Sequence, residues 1–316
     1  MIKVIPMKEA DITDAANLWE AQFGRYCCCD AFPDFRKGGR YVIESHIAKQ
    51  IGNGNALIAT KDNSIIGYMA WMYFDFHSER SAFLPTCGHA ASLEDEIRIY
   101  EEMYYYAAQN WVRDDRFNHL WMTYFDDEAL KNKLYDIGFG SHCIDACQST
   151  TKSIKSSCHY TVLFAAMKDV DSLLEFVNST TEYYYSSPIF LKQNQHTKTE
   201  IIEIIESNCA LIALDGEKIV GFVSFTINPN FHFECLTTPD SVARIGAYID
   251  PNYRRNGIGS ALLAKAFDFC REKGKRYIHV GFETANSNAI NFWPKYFKPA
   301  IRSVRRTINK DANSIV

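Results

Sequence analysis

Three things are scarce in this chain of 316 residues. No stretch reaches 18 consecutive apolar residues, so no helix is expected to cross a bilayer. Basic residues never form a long run and the formal net charge is −4, so the clustered positive footprint required by a phosphate backbone is lacking. No two of the ten cysteines stand as a C-x-x-C pair. The opening MIKVIPMKEADIT brings in acids early and has no sustained apolar core, so it does not read as a secretion signal. Together these absences predict reduced thiols in a cytoplasmic protein, with neither nucleic acid nor membrane as partner. Cys143, Cys147, Cys158 and His159 lack the paired spacing of a zinc site, and no metal is expected. Cys27, Cys28 and Cys29 read as a chance cluster in a loop.

What is present is an ordinary globular composition, 47% apolar and 23% charged. The length suits two domains of about 150 residues each. The chain also repeats itself. NALIATKDNSIIGYMAW (55–71) recurs without a gap as CALIALDGEKIVGFVSF (209–225), 154 residues on. Ile47 and Ile51 recur as Ile201 and Ile205, on one helical face. Asp62-Asn63 and Asp215-Gly216 supply hairpin turns. At an offset of 160, His119, Asp126 and Ala129 match His279, Asn286 and Ala289, and Met7-Lys8 and Asp11 match Met167-Lys168 and Asp171. Two copies of one α/β (α+β) domain are expected, 1–150 and 151–316, joined through QSTTKSIKSS (148–157). Each copy should hold a mixed, mostly antiparallel sheet flanked by helices. In the second, Arg244–Asp250 reads as a strand, Ile258–Glu272 as a helix stopped by Gly274, and Tyr277–Glu283 as a strand.

Between that first strand and the helix lies DPNYRRNGIGS (250–260). A helix N-terminus offers unpaired N–H groups and partial positive charge. Gly257 and Gly259 leave room for phosphate oxygens, and Arg254 and Arg255 add countercharge. A dinucleotide fingerprint needs a third glycine where Leu262 stands, and a Walker loop needs Gly-Lys-Ser/Thr. What remain are a pyrophosphate held by another kind of loop and, as the plainer alternative, a structural turn.

The run YIDPNYRRNGIGSALL resembles the acetyl-CoA segment of the GNAT superfamily of N-acetyltransferases, whose pattern is Arg/Gln-x-x-Gly-x-Gly/Ala. Arg254, Gly257 and Gly259 fill its three defined places. Asn286, Ala289, Phe292-Trp293 and Lys295 match the downstream part. The resemblance covers 158–316 and, through the repeat, extends more faintly over 1–150, as in tandem GNAT proteins of bacteria. It implies two GNAT-like domains and acetyl-CoA as acyl donor. The cofactor would be held by Tyr248, Ile249, Arg254, Arg255, Asn256, Gly257, Ile258, Gly259, Ser260, Asn286 and Trp293. Shifting the loop back by 160 lands on Glu94-Asp95-Glu96-Ile97-Arg98-Ile99, where acids and isoleucines oppose pyrophosphate. The first copy is therefore expected to be degenerate.

Direct aminolysis of a thioester needs a neutral amine, a polarised carbonyl and an acid for the thiolate. The family often places a tyrosine where this chain has Trp293, and indole cannot act as that acid. Tyr296, beyond the helix-breaking Pro294, is the candidate acid and Glu283 the candidate base; His232 and Glu234 could also face the acceptor. A water chain could instead take the proton. The Tyr104–Tyr106 and Tyr183–Tyr185 runs read as packing clusters, and Arg302, Arg305 and Arg306 as surface decoration. The expected reaction is N-acetylation of a small-molecule or peptide amine by a monomer or homodimer. The rivals are a non-catalytic acyl-CoA sensor and a transferase that uses charged transfer RNA.

Overall fold

The computed structural model describes residues 1–227, 229 and 233–314; for 244, 245, 313 and 314 it describes the backbone only. The chain packs as two units. Unit one is built from Met1–Asp145, a short piece ending at Leu236 and the chain from Pro299 on. Unit two is the remainder, beginning at Ala146. Packing thus divides the chain slightly before the Ser/Thr-rich stretch and assigns the last strand to unit one.

In unit one the elements are β1 (Lys3–Pro6), α1 (Ile12–Tyr26), α2 (Arg36–Gly52), β2 (Ala56–Lys61), β3 (Ser64–Ala70), β4 (Met72–Phe76), β5 (Glu79–Leu84), β6 (His89–Ala91), α3 (Glu96–Arg113), β7 (Asn118–Tyr124) and α4 (Glu128–Asp136). β8 (Gly140–Ser149) begins in unit one and ends in unit two. Unit two holds β9 (Thr161–Phe164), α5 (Val170–Ser179), α6 (Thr181–Tyr185), α7 (Lys198–Glu206), β10 (Ala210–Asp215), β11 (Lys218–Ile227), β12 (Ser241–Ile249), α8 (Ile258–Glu272), β13 (Tyr277–Glu283) and α9 (Ser287–Phe292). β14 (Lys298–Thr307) runs antiparallel to β7.

In unit two the strands lie in the order β9-β10-β11-β12-β13, antiparallel up to β12 and parallel at β12/β13. In unit one β1-β2-β3-β6 form one antiparallel set, while β4 and β5 pair antiparallel and β5 and β7 parallel. The expected mixed, mostly antiparallel α/β architecture is what the structure shows. Local chemistry sets the ends. Thr197 accepts from Glu200 N at 3.3 Å while Glu200 accepts from Thr197 N at 2.8 Å, closing a capping box on α7. Asp62 and Asn63 both adopt positive φ, as a two-residue hairpin turn requires. Gly274 follows α8 at φ 70°. The buried stripe of α8 (Ile258, Leu262, Leu263, Ala266, Phe267, Phe269, Cys270) faces the sheet, each large side chain contributing roughly 1.5–3 kcal/mol by leaving water.

The repeat can be read strand by strand. Ala59 pairs with Gly67 and Ala213 with Gly221, and in both hairpins the register slips at the next residue. The 154-residue offset is therefore structural. Two other matches need correction. Asp11 accepts from Lys8 N at 2.8 Å, and its counterpart Asp169 accepts from Ala166 N at 2.8 Å, so Asp11 corresponds to Asp169 rather than Asp171. Asp127 caps α4 through Leu130 N and Asn286 caps α9 through Ala289 N, so Asp127, not Asp126, matches Asn286. The pairs Ser81↔Asn118 and Ser241↔Tyr277 give the same offset of 159 for β7 and β13. Coincident identities at 160 hid a slip of two residues near the start and of one residue later on. Arg302, expected at the surface, is half-buried, its guanidinium 4.7 Å from the Phe125 ring and donating to Ser141 Oγ at 2.7 Å.

Candidate acyl-transfer site

β12 and β13 are paired at Ser241↔Tyr277, Val242↔Ile278 and Ala243↔His279. Toward Ile249 and Glu283 a cleft of about 360 Å³ opens between the two strands, with the start of α8 at its mouth. Its lining includes Tyr248, Ile249, Arg254, Arg255, Gly257, Ile258, Gly259, Ser260, Glu283, Asn286, Trp293 and Tyr296. Of the site residues expected from the sequence, only Asn256 is missing from that wall; its Nδ2 donates to Tyr253 O at 3.3 Å.

The mouth is held from outside. Tyr253 donates to Asp215 at 3.0 Å and lies under the Lys218 ammonium at 5.0 Å. Asp250 accepts from Asn252 N at 2.9 Å and from Lys218 at 3.4 Å. The β10–β11 turn thereby fixes the loop. Arg255 is held at φ 66° and Gly257 at φ 78°, left-handed values that favour glycine and strain an arginine. The backbone N–H groups of Arg255, Asn256, Gly257, Ile258, Gly259 and Ser260 donate to no described residue. Six consecutive free donors at a helix N-terminus favour an anion.

Three placements differ from the expected roles. A Cβ on Gly257 would fall 2.1 Å from Ser157 O, and one on Gly259 would fall 2.9 Å from the Phe292 ring. The glycines thus admit the protein's own chain and an aromatic ring, and the donors beside them are what a ligand meets. Arg254 donates to Ile249 O at 3.0 Å and lies 5.3 Å from the Tyr248 ring and 5.5 Å from the Tyr183 ring. Asn286 is buried as a helix cap, its Oδ1 also accepting from Tyr183 at 2.8 Å.

Tyr183 is the residue that sequence reasoning missed. It lines the cleft, touches Arg254, hydrogen-bonds Asn286 and accepts from Asn288 at 2.8 Å, yet nothing local separates it from Tyr184 and Tyr185. Burial raises the Tyr248 phenol above its ordinary range, and the Arg254 cation opposes that shift. Pro294 ends α9, and Trp293–Lys295 form a 3-10 turn. Trp293 is buried against Phe292 and Phe297. The Tyr296 hydroxyl hydrogen-bonds no described residue, and Glu283 has no ion pair among them. Glu234 is buried, belongs to unit one and is not among the residues that line the cleft; His232 lies outside the described residues. Among the described residues no His/Cys/Asp/Glu group is arranged to hold a metal, including Cys143, Cys147, Cys158 and His159, and no helix is long and apolar enough to cross a membrane.

Residues 172–297 match the model of the acetyltransferase (GNAT) family. An uncharacterized N-acetyltransferase of Methanocaldococcus jannaschii is 27% identical over 172 residues, covering 53% of this chain and 70% of that protein. A GCN5-related N-acetyltransferase from Sphaerobacter thermophilus superposes with TM-score 0.62 at 11% identity, over 98% of this chain and 96% of that one. A GNAT-family acetyltransferase from Colwellia psychrerythraea gives 0.51 at 12%, over 98% and 100%. These two structural likenesses are of fold. The stretch 172–297 is similar to the GNAT family, and the chain shares the fold of these two proteins.

The GNAT fold of unit one fills the equivalent place. Gly67 packs on Ile99 and Met103 as Gly221 packs on Ile258 and Leu262, which sets the helix register. On that register Arg98 stands for Gly257 and Tyr100 for Gly259, in place of the two isoleucines expected. The Tyr100 hydroxyl meets His89 Nδ1 at 2.9 Å and Gln22 Oε1 at 3.2 Å, all buried. Ala90 and Ala91 occupy the positions of Tyr248 and Ile249.

Proposed function

We propose that unit two binds acetyl-CoA and transfers its acetyl group directly to a primary amine, while unit one is a degenerate copy that binds none. The single observation carrying this reading is the run of six unpartnered N–H donors that opens on a cleft with a free carboxylate, Glu283, at its far end. Charge-assisted hydrogen bonds of this kind contribute roughly 1.5–3 kcal/mol each.

The acetyl thioester supplies the acyl carbon. Glu283 takes a proton from the incoming ammonium, leaving a nucleophilic amine. The new C–N bond forms, the C–S bond breaks, and Tyr296 gives its proton to the departing thiolate. The proton shed by the acylated nitrogen returns to the phenolate through water. Backbone N–H groups of β12 around Tyr248 and Ile249, on the side from which β13 has parted, polarise the carbonyl. Arg254 holds the floor of the cleft through Tyr183, Tyr248 and Ile249.

Titration calorimetry with acetyl-CoA, followed by thiol release on adding amines, tests this. Expected are one binding event per chain and amine-dependent release of CoA. Absence of binding removes the reading. Tight binding without turnover across an amine panel would replace it with a sensor.

A further inference from the structure

Unit one carries a groove of its own, of about 340 Å³, between α3 and α4. Tyr104, Ala108 and Val112 line it from one face of α3, Leu130 and Leu134 from α4, and Arg306 from β14. We infer that this groove binds a small amphiphilic monoanion, a carboxylate on an apolar body of about twelve heavy atoms in all, with its head at Arg306.

The space follows from one residue. In the helix register shared by the two units, Ala108 stands where unit two has Phe267, whose buried ring packs on Phe297 at 5.7 Å. Unit one lacks that ring. No described element covers the groove: past β14 the chain crosses toward β5, where Lys310 meets Glu79 at 4.0 Å. A cavity of roughly 150 Å³ lined by aliphatic side chains holds one benzene ring, so the groove suits about twice that many heavy atoms.

The charge follows from Arg306. At the rim Lys133 and Glu101 pair with each other. Among the described residues no carboxylate pairs with Arg306, which is half-buried. Its guanidinium lies instead against the Tyr104 hydroxyl. That hydroxyl meets His119 Nδ1 at 2.8 Å, and His119 Nε2 meets Arg116 O at 3.0 Å. A carbonyl only accepts, so Nε2 carries the proton, Tyr104 donates to Nδ1, and the phenolic oxygen is left to accept from Arg306. The guanidinium is thereby positioned, with further N–H groups left for an anion. One such cation beside apolar walls complements one carboxylate on an alkyl chain.

Titration calorimetry of the full chain with decanoate, decanol and decylamine tests this. Decanoate should bind about ten- to a hundredfold tighter than decanol, the worth of a hydrogen bond to a charged group, and decylamine no tighter than decanol. Arg306→Gln should bring decanoate to the affinity of decanol and leave decanol within a few fold, which also reports an intact groove. Ala108→Phe, supplying the ring that unit two has, should abolish binding of both. Equal affinities for decanoate and decanol in the unaltered chain overturn the inference, as does absence of decanoate binding. Decanoate binding that survives Arg306→Gln or Ala108→Phe at full strength overturns it too, by placing the ligand elsewhere. Each of these outcomes leaves the acetyl-CoA reading of unit two untouched.

Discussion

The Phe292 ring stands where a side chain on Gly259 would begin, with a built Cβ 2.9 Å from two of its atoms. Gly259→Ala should therefore overpack the seam between α8 and α9 and cost about 1–3 kcal/mol. Phe292→Leu in the same chain should recover most of that, because the contact is with one ring rather than with backbone. Urea midpoints of the three proteins test this; equal losses in the single and double variants would show that Gly259 is required for another reason.

Arg254 sits beside two phenol rings and a backbone carbonyl, all within unit two. Arg254→Lys keeps the charge but loses the planar stacking surface and the fixed Nε donor. Both Arg254→Lys and Arg254→Ala should weaken acetyl-CoA binding, the alanine variant by about ten- to a hundredfold if one charge-assisted contact is lost. A lysine variant with full affinity at several salt concentrations would assign Arg254 a purely electrostatic part.

Glu283→Gln and Tyr296→Phe should each lower kcat/KM by about a hundredfold or more while leaving acetyl-CoA affinity within a few fold, since a positioned acid or base contributes roughly 10²–10⁴. Steady-state rates across pH, paired with calorimetry, distinguish this from a folding defect. Full activity of Glu283→Gln at every pH would hand proton removal to water.

Local chemistry in the sequence located α8, β13 and the loop between β12 and α8, because glycines, a cap and a helical stripe coincide there. The repeat was legible where β2–β3 and β10–β11 share a bulge. It was misread wherever loops differ in length, because His119 and His279 are identical yet out of register by one. Tyr183 was invisible for a different reason: its function depends on Arg254 and Asn286, residues distant in the chain, and a Tyr-Tyr-Tyr run carries no sign of which ring turns inward. The break of β11-like pairing into β3 and β4 at Trp71, where unit two has Phe225 at a bulge, likewise follows from packing.

Unit one should lose stability in acid. Burial holds the imidazoles of His89 and His142 down to about 4 and His119 to about 3. The unfolded chain takes up these protons near pH 6.5, so stability present above that pH is lost as pH falls toward 4. Glu96 acts in the opposite sense. Burial, then Asp127, raises its carboxyl to about 7 against the Arg25 ion pair, so its contribution declines as pH rises from about 4.3 to 7. His46 and Asp127 are also raised and act with Glu96, but by smaller displacements, so the three lowered imidazoles leave acid destabilising. Hydrogen exchange in β7 should quicken between pH 7 and 4.5 after correction for intrinsic rates; unchanged protection would mean that the folded and unfolded chains take up equal numbers of protons over this range.

The two units invite an exchange. Tyr100 fills, with His89 and Gln22, the place that Gly259 leaves beside a cleft, and Arg98 stands where Gly257 adopts a left-handed backbone. Placing unit one's residues in unit two, as Gly257→Arg with Gly259→Tyr, puts a branch-bearing residue at φ 78° against Ser157 O and a phenol into Phe292. Acetyl-CoA binding should fall from one equivalent per chain to none, while the melting transition of unit one stays in place. Single Gly257→Ala separates the two causes: strain at positive φ and the 2.1 Å approach to Ser157 O should already weaken binding tenfold or more at about 1–3 kcal/mol of strain. If a binding event survived the double change, it would have to be housed in unit one, and Tyr100→Gly would then be expected to leave it unaltered. If the double change removes all binding, the N–H run at the start of α8 is the anion site.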